Sequence, residues 1–163
     1  MPKIKLTLTA GGIDAAVKQL EEYADRVEKS SEKMVERLVK SGTENAKELA
    51  SYLGAVDTGE LVGSIVPEID GNKGRVHSTA PYSAYVEMGT GVVGKGNQHP
   101  AMAYPGWVYD HNEHGEAGWH YPGRDGKIHW TKGMPSRPYM YNTSQMMREA
   151  LPDIAKEALQ DND

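Results

Sequence analysis

The sequence predicts an α+β fold with a small, mainly antiparallel sheet packed against a long N-terminal helix and a C-terminal helix. Apolar residues recur at alternating intervals of three and four over residues 13–53 and again after residue 139, which is typical of amphipathic helices. Between them, short strand patterns surround a reversing turn. A long Gly- and aromatic-rich loop, about residues 90–133, is inserted into this arrangement, and we expect residues 1–163 to form one domain.

The N-terminal helix is the longest predicted element. Ile4, Leu6 and Leu8 alternate with polar residues, which predicts a strand that Gly11–Gly12 ends. The helical pattern then runs without proline from Ile13 to about Leu53. At ~1.5 Å per residue this helix is roughly 60 Å long. It can pack on its own sheet and C-terminal helix, or it can also supply one helix of a coiled coil with a partner.

A hairpin follows the long helix. Leu61 to Ile69 reads as a short helical turn passing into a strand, and Pro67 confines that strand to a sheet edge because proline cannot donate to the ladder. Asp70–Asn72 has the composition of a reversing turn. Arg75–Ser78 is the predicted partner strand.

Two stiff segments enclose the inserted loop. Before it, Pro81 suits the first turn of a short, half-buried helix over residues 81–89. After it, Pro135 and Pro138 keep the backbone extended until the C-terminal helix begins at Tyr139. Pro152 is expected to kink or restart that helix.

The inserted loop has the composition of a contact segment. From Gly89 to Gly133 there are ten of the eighteen glycines, all three tryptophans and only four Val, Ile or Leu residues. Such a segment cannot build its own core, yet its aromatic side chains are costly to leave in water, so we expect it to fold against a partner. Gly106–Tyr109 and Lys127–Thr131 are its predicted strands. The predicted assembly contacts are Glu87, Tyr104, Trp107, Tyr109, Trp119, Tyr121, Trp130 and Arg137.

Catalytic interpretations have little support. Glu87 has no nucleophile or second carboxylate at a telling spacing, and it could instead pair with Arg137 across the mouth of the loop. An exposed pair of this kind stabilises by only ~0–1 kcal/mol, so its role would be positional. The glycines from Gly89 to Gly96 suit turns, because no Gly-Lys-Ser or Gly-Lys-Thr follows a strand there.

A metal site is the main alternative within the loop. His111, His114, His120 and Asp125 are metal-ligand types, and the chain has no cysteine that could compete as a ligand. No helix is predicted to hold these histidines in a fixed geometry, and no metallopeptidase pattern is present. We therefore expect no metal, no cofactor and no enzymatic activity, with a metal-dependent hydrolase as the competing hypothesis.

Charge and hydropathy limit the partners. The net charge of -5 argues against a general nucleic-acid-binding surface, although DNA could pass an acidic wall without binding to it. No apolar run is long enough to cross a membrane and no leader pattern follows Met1. We expect synthesis in the cytoplasm and no membrane partner.

Three short motifs occur in order along the middle of the chain. They are Thr-Gly-x-Leu-x-x-Ser-Ile at Thr58–Ile65, Tyr-x-x-Tyr-Val-Glu-x-Gly-Thr at Tyr82–Thr90, and Gly-x-x-x-Arg-Pro followed by an aromatic residue at Gly133–Tyr139. This series resembles the tail-component family of long-tailed phages and prophages, the gp-ten-like head-tail joining and tail-completion proteins. Tyr139 stands where that family usually has Phe.

The resemblance implies a virion structural protein at the neck or tail. Such a protein would act by assembly, as a homo-oligomeric ring that contacts other neck or tail proteins, and it would be made in the host cytoplasm. A dimeric adaptor built on the long helix is a further alternative.

Overall fold

The computed structural model describes residues 7–55, 59–101, 106–123 and 125–161 and confirms the α+β class. The helices are α1 (Ala10–Tyr52), α2 (Glu60–Ser64), α3 (Ser83–Met88), α4 (Gly91–Gly96) and α5 (Tyr139–Gln160), with one 3₁₀ turn at Gly115–Ala117. The strands are β1 (Ile65–Asp70), β2 (Lys73–Ser78), β3 (Trp119–Pro122), β4 (Ile128–Thr131) and β5 (Gly133–Met134).

The long N-terminal helix is a single, unbroken element. Its N-cap is Thr9, whose side chain accepts a hydrogen bond from the Gly12 backbone N–H at 3.2 Å. Gly11–Gly12 therefore lies within the first turn of α1. Ile4 and Leu6 of the predicted strand lie outside the described residues.

The hydrophobic core lies between the second half of α1, α5 and the first hairpin. Ala46 and Ala50 of α1 are fully buried beside Leu61, Ile65 and Tyr139. Small residues on α1 let α5 approach closely. A Cβ at Gly42 would come within 2.5 Å of the Met147 sulfur, so a larger residue here would require the Met147 side chain to move.

The first hairpin confirms the predicted one. β1 and β2 pair antiparallel from Ile65 opposite Ser78 to Asp70 opposite Lys73. Pro67 lies opposite Val76 in this two-stranded sheet, where both strands are edges and a missing donor is tolerated. The hairpin packs on α1.

The strands within the insertion differ from the prediction. A hairpin within the insertion was predicted in addition to the main sheet, and the described residues form two separate two-stranded sheets, β1–β2 and β3–β4. The predicted strand Gly106–Tyr109 is wrong, and the partner of β4 is Trp119–Pro122. Trp119–Pro122 pairs with β4 because it is nearer in sequence, and a short connection favours an antiparallel hairpin. Gly106–Tyr109 returns to the base of the insertion.

The C-terminal helix runs through Pro152 without ending. Its last turns lie beside α1, where Arg37 forms ion pairs with Glu157, at 3.6 Å, and with Asp161. Contacts with α1 therefore help α5 to continue past Pro152, which has no backbone N–H to donate.

Candidate assembly site in the inserted segment

The inserted segment is closed at its base by a backbone pinch. Thr90 pairs with Met134 and Gly91 with Gly133 as antiparallel bridges, and the Met134 N–H donates to Thr90 Oγ1 at 3.2 Å. Both glycines have positive φ, +63° and +104°, and a Cβ on either would overlap a carbonyl oxygen of the opposite strand. Glycine is required at both positions.

The residues after the pinch form a helix where turns were predicted. α4 spans Gly91–Gly96, and the Val93 N–H donates to the Lys132 carbonyl oxygen at 3.3 Å. A Cβ at Gly94 would come within 3.0 Å of the Met134 oxygen. The glycines therefore permit close packing of a short helix on β5, rather than only turning the chain.

Glu87 caps the N-terminus of α5 from a distant part of the chain. Its two carboxylate oxygens accept hydrogen bonds from the backbone N–H groups of Met140 and Tyr141, each at 2.9 Å. The local N-cap residue, Pro138, supplies no side-chain bond. A carboxylate at this end also complements the helix dipole. Glu87 thus joins α3 to α5.

His99 completes this arrangement and was missed by the sequence analysis. Its side chain is 2 % exposed, and its Nδ1 accepts a hydrogen bond from the Ala101 N–H at 3.1 Å. Because Nδ1 is an acceptor, Nε2 carries the proton and donates to Glu87 Oε1 at 3.0 Å. The ring also meets Tyr141 edge-on at 5.2 Å. No periodicity in the sequence distinguishes His99 from the other loop histidines.

The predicted pair between Glu87 and Arg137 is wrong. Both residues are described, and they form no ion pair, because the Glu87 oxygens already accept bonds from α5 and His99. The Arg137 backbone N–H donates to the Val86 oxygen at 3.0 Å, and its guanidinium lies 3.8 Å from the Met134 sulfur. The conformation of the closing segment thus directs Arg137 away from Glu87.

Two of the predicted contact aromatics lie at the base. Trp107 Nε1 donates to the Gly89 oxygen at 3.1 Å, and its ring lies 5.5 Å from that of Tyr85. The backbone carbonyl oxygen of Tyr109 accepts a hydrogen bond from the Gly91 N–H at 2.6 Å. A cavity of about 560 Å³ opens beside Trp107 and His99. Tyr104 lies outside the described residues.

The other aromatics belong to the outer hairpin, β3 and β4 with their connection. Trp119 is half-buried against the His114 ring at 5.1 Å. Tyr121 stacks on His129 at 5.6 Å on one face of the hairpin and is 44 % exposed. On the other face Trp130 is 53 % and Ile128 67 % exposed. The structure therefore divides the predicted contacts into a packed base and an exposed hairpin.

The loop histidines make local polar contacts. Asp110 accepts hydrogen bonds from the backbone of Gly115 at 2.7 Å and of His114 at 3.0 Å; the Gly115 bond is the largest cause that lowers its pKa. His129 Nε2 lies 2.9 Å from Asp125, and this hydrogen bond is the main cause of the lowered pKa of Asp125.

These contacts offer no support to the alternative of a metal-dependent hydrolase. His111 and His120 are both exposed, and His114 faces Asp110. Within the described ranges, no three His, Asp or Glu side chains come together in a group that could hold a metal ion.

One family model matches nearly half of the chain. Residues 14–89 match the family model described as "Bacteriophage HK97-gp10, putative tail-component". No curated protein and no solved structure matched this chain. The match spans most of α1 through α3 and confirms, over these residues, the resemblance to phage tail components. The matched model describes tail components of bacteriophages.

None of the helices in the described ranges is long and apolar enough to cross a membrane.

Proposed function

We propose that this chain is a virion structural protein of a long-tailed phage or prophage that joins the head to the tail or completes the tail. On this proposal residues 1–163 act as one domain whose insertion, about residues 90–133, is a contact element. The protein is made in the host bacterial cytoplasm and functions in the neck or tail of the virion. The family match supports the tail, and the position within the tail is our inference.

The outer hairpin is the observation that carries this proposal. Tyr121, Ile128 and Trp130 are 44–67 % exposed on a two-stranded ribbon, which is marginally stable in water by itself. Aromatic side chains are enriched in the buried centres of protein interfaces. The pinch at Gly91 and Gly133 holds the ribbon at a defined place on the body. A partner on one face of the ribbon would bury Tyr121, and a partner on the other face would bury Ile128 and Trp130.

The remaining contact residues have positioning roles in this proposal. Trp107 and Tyr109 anchor the base of the insertion, Trp119 supports the hairpin, and Glu87 ties the base to α5. Arg137 is half-buried beside Met134, and we retain it as a contact at the rim.

The partners proposed are other copies of this chain, arranged in a ring, and other neck or tail proteins. DNA could pass through such a ring without sequence-specific binding, because the net charge of -5 disfavours tight binding of the phosphate backbone.

The test uses a phage whose copy of this gene is deleted and is supplied in trans. We compare the wild type with Tyr121→Ala/Trp130→Ala and with Tyr52→Ala, an exposed aromatic at the end of α1 that serves as the matched control. We expect the hairpin variant to leave heads and tails unjoined in electron micrographs and to yield few infectious particles, while Tyr52→Ala behaves as wild type.

Two results would overturn the proposal. One is a normal yield of joined particles from the deleted phage without complementation. The other is the absence of the protein from purified virions.

A further inference from the structure

The first half of α1 protrudes from the body as an arm. From residue 30 onward, residues at regular intervals are buried against α5 and the first hairpin. Over residues 10–29, every residue except Gly12 and Ala16 is exposed. At 1.5 Å per residue this arm is roughly 30 Å long.

The arm carries an apolar row at coiled-coil spacing, which we name the arm stripe: Ile13, Val17, Leu20, Ala24 and Val27. The four larger members are 41–53 % exposed. Their intervals of four, three, four and three keep them on one side of the helix and repeat every seven residues. A seven-residue repeat on one helix fits a second helix better than it fits a sheet or a loop.

A second helix packed on the arm would stabilise it. An isolated helix of about this length is marginal in water. Gly11 and Gly12 in its first turn weaken it further, because glycine is a poorer helix former than alanine. Packing of the arm stripe against another helix would provide what the local sequence lacks.

Charge beside the stripe selects the orientation of that helix. One flank is acidic, with Asp14, Glu21 and Glu28 each following a stripe residue. The other flank, at positions 16, 23 and 30, carries no charge. In a parallel pair of identical helices the acidic flank of one faces the uncharged flank of the other, whereas an antiparallel pair brings the two acidic flanks together.

We propose that the arm stripe of one copy packs, parallel and in register, against the arm stripe of a neighbouring copy. This inference deepens the proposed function, on which it rests for the presence of several copies in one assembly. In a ring, rotational symmetry keeps arms that run along the ring axis parallel to one another, which is the orientation that the charge pattern favours.

The first experiment measures mass in solution by light scattering over a range of concentrations. The stripe variant is Leu20→Glu/Val27→Glu. The matched control, Ala15→Glu/Gln19→Glu, adds the same charge at exposed positions of the arm outside the stripe. We expect the wild type and the control to be oligomeric and the stripe variant to fall to the 17.9 kDa monomer. Circular dichroism and thermal unfolding should show that its body remains folded, since residues 20 and 27 lie outside the core.

The second experiment tests orientation. The chain has no cysteine, so single substitutions give unambiguous cross-links. Ile13→Cys should form a disulfide between two copies on mild oxidation, because parallel pairing in register places the two residues 13 opposite each other. Preferential cross-linking of Ile13→Cys to Val27→Cys in a mixture would instead show antiparallel arms and overturn the proposal.

Other outcomes of the mass measurement are equally decisive. A monomeric wild type, or an oligomer that the stripe substitutions leave intact, overturns the inference. If the wild type is monomeric and virions made with the stripe variant lack another virion protein, the arm stripe binds that protein instead. These results are separate from the virion test above, because the protein can be incorporated into tails through the outer hairpin whether or not its arms pair.

Discussion

The two hairpins have the same local structure and opposite surroundings. Each is a two-stranded antiparallel ribbon, six residue pairs long in β1–β2 and four in β3–β4. Ile65 at the start of the first is fully buried against the body, whereas Ile128 in the second is 67 % exposed. The difference lies in the helices: α1 packs on the first hairpin, whose Ile65 is part of the core, whereas the second hairpin lies beyond the pinch. Burial of Ile65 stabilises the fold, and the exposed second hairpin is the surface that we propose for recognition.

The largest test of this comparison replaces the same residue in both hairpins. Ile65→Ala should lower the free energy of unfolding by about 2–5 kcal/mol, because it leaves a cavity in the core. Ile128→Ala should change it by less than about 0.5 kcal/mol. Urea denaturation of both variants measures the difference. Equal losses would mean that the outer hairpin belongs to the folded core.

A second test compares two carboxylates, one at the base of the insertion and one beside the outer hairpin. Glu87→Ala removes three hydrogen bonds from a half-buried site and should cost roughly 2–3 kcal/mol. Glu116 is 81 % exposed and forms an ion pair with Lys132. Glu116→Ala removes this ion pair and should lower the free energy of unfolding by at most about 1 kcal/mol. Glu87→Gln should fall between them, since its amide keeps one acceptor oxygen. A Glu87→Ala variant as stable as the wild type would contradict the capping role.

The smallest expected effect concerns two tyrosines at alkaline pH. Burial, and then the neighbouring Glu87 charge, raises the pKa of Tyr139 to about 12. The unfolded chain releases this proton near pH 10, so it binds fewer protons than the folded chain between pH 10 and 12, and stability falls as the pH rises through that window. The loss at pH 11 should be about 1.4 kcal/mol relative to pH 8.

Tyr139→Phe should remove this part of the alkaline loss, and Tyr121→Phe, on the exposed hairpin, should retain it. Thermal melts at several values of pH distinguish the two variants. If stability falls equally with rising pH in both variants, a group other than Tyr139 causes the alkaline loss.

Elements with regular local patterns were predicted well. The three-four spacing of apolar residues identified α1 and α5, and the turn residues from Asp70 to Asn72 identified the first hairpin. In these segments each residue's preference agrees with its neighbours and with the final packing. The prediction failed for the first strand of the outer hairpin, because short aromatic stretches suit several alternative pairings.

The site was predicted in part. Glu87 and the aromatics were singled out by composition, but their roles were not, since a distant carboxylate cap has no sequence spacing. Met140 lies 53 residues from Glu87 and is joined to it only by the fold. His99 was missed for the same reason, because its burial depends on three segments meeting.

The sequence by itself determined the α+β class, the extent of the long helix, the first hairpin and the position of the insertion. It did so because hydrophobic periodicity, proline and glycine act over a few residues. Only the tertiary structure decided which acid caps α5, which aromatics are packed and which remain exposed, and where α1 leaves the body. Those outcomes depend on which surfaces meet when distant segments pack, and no local pattern records that.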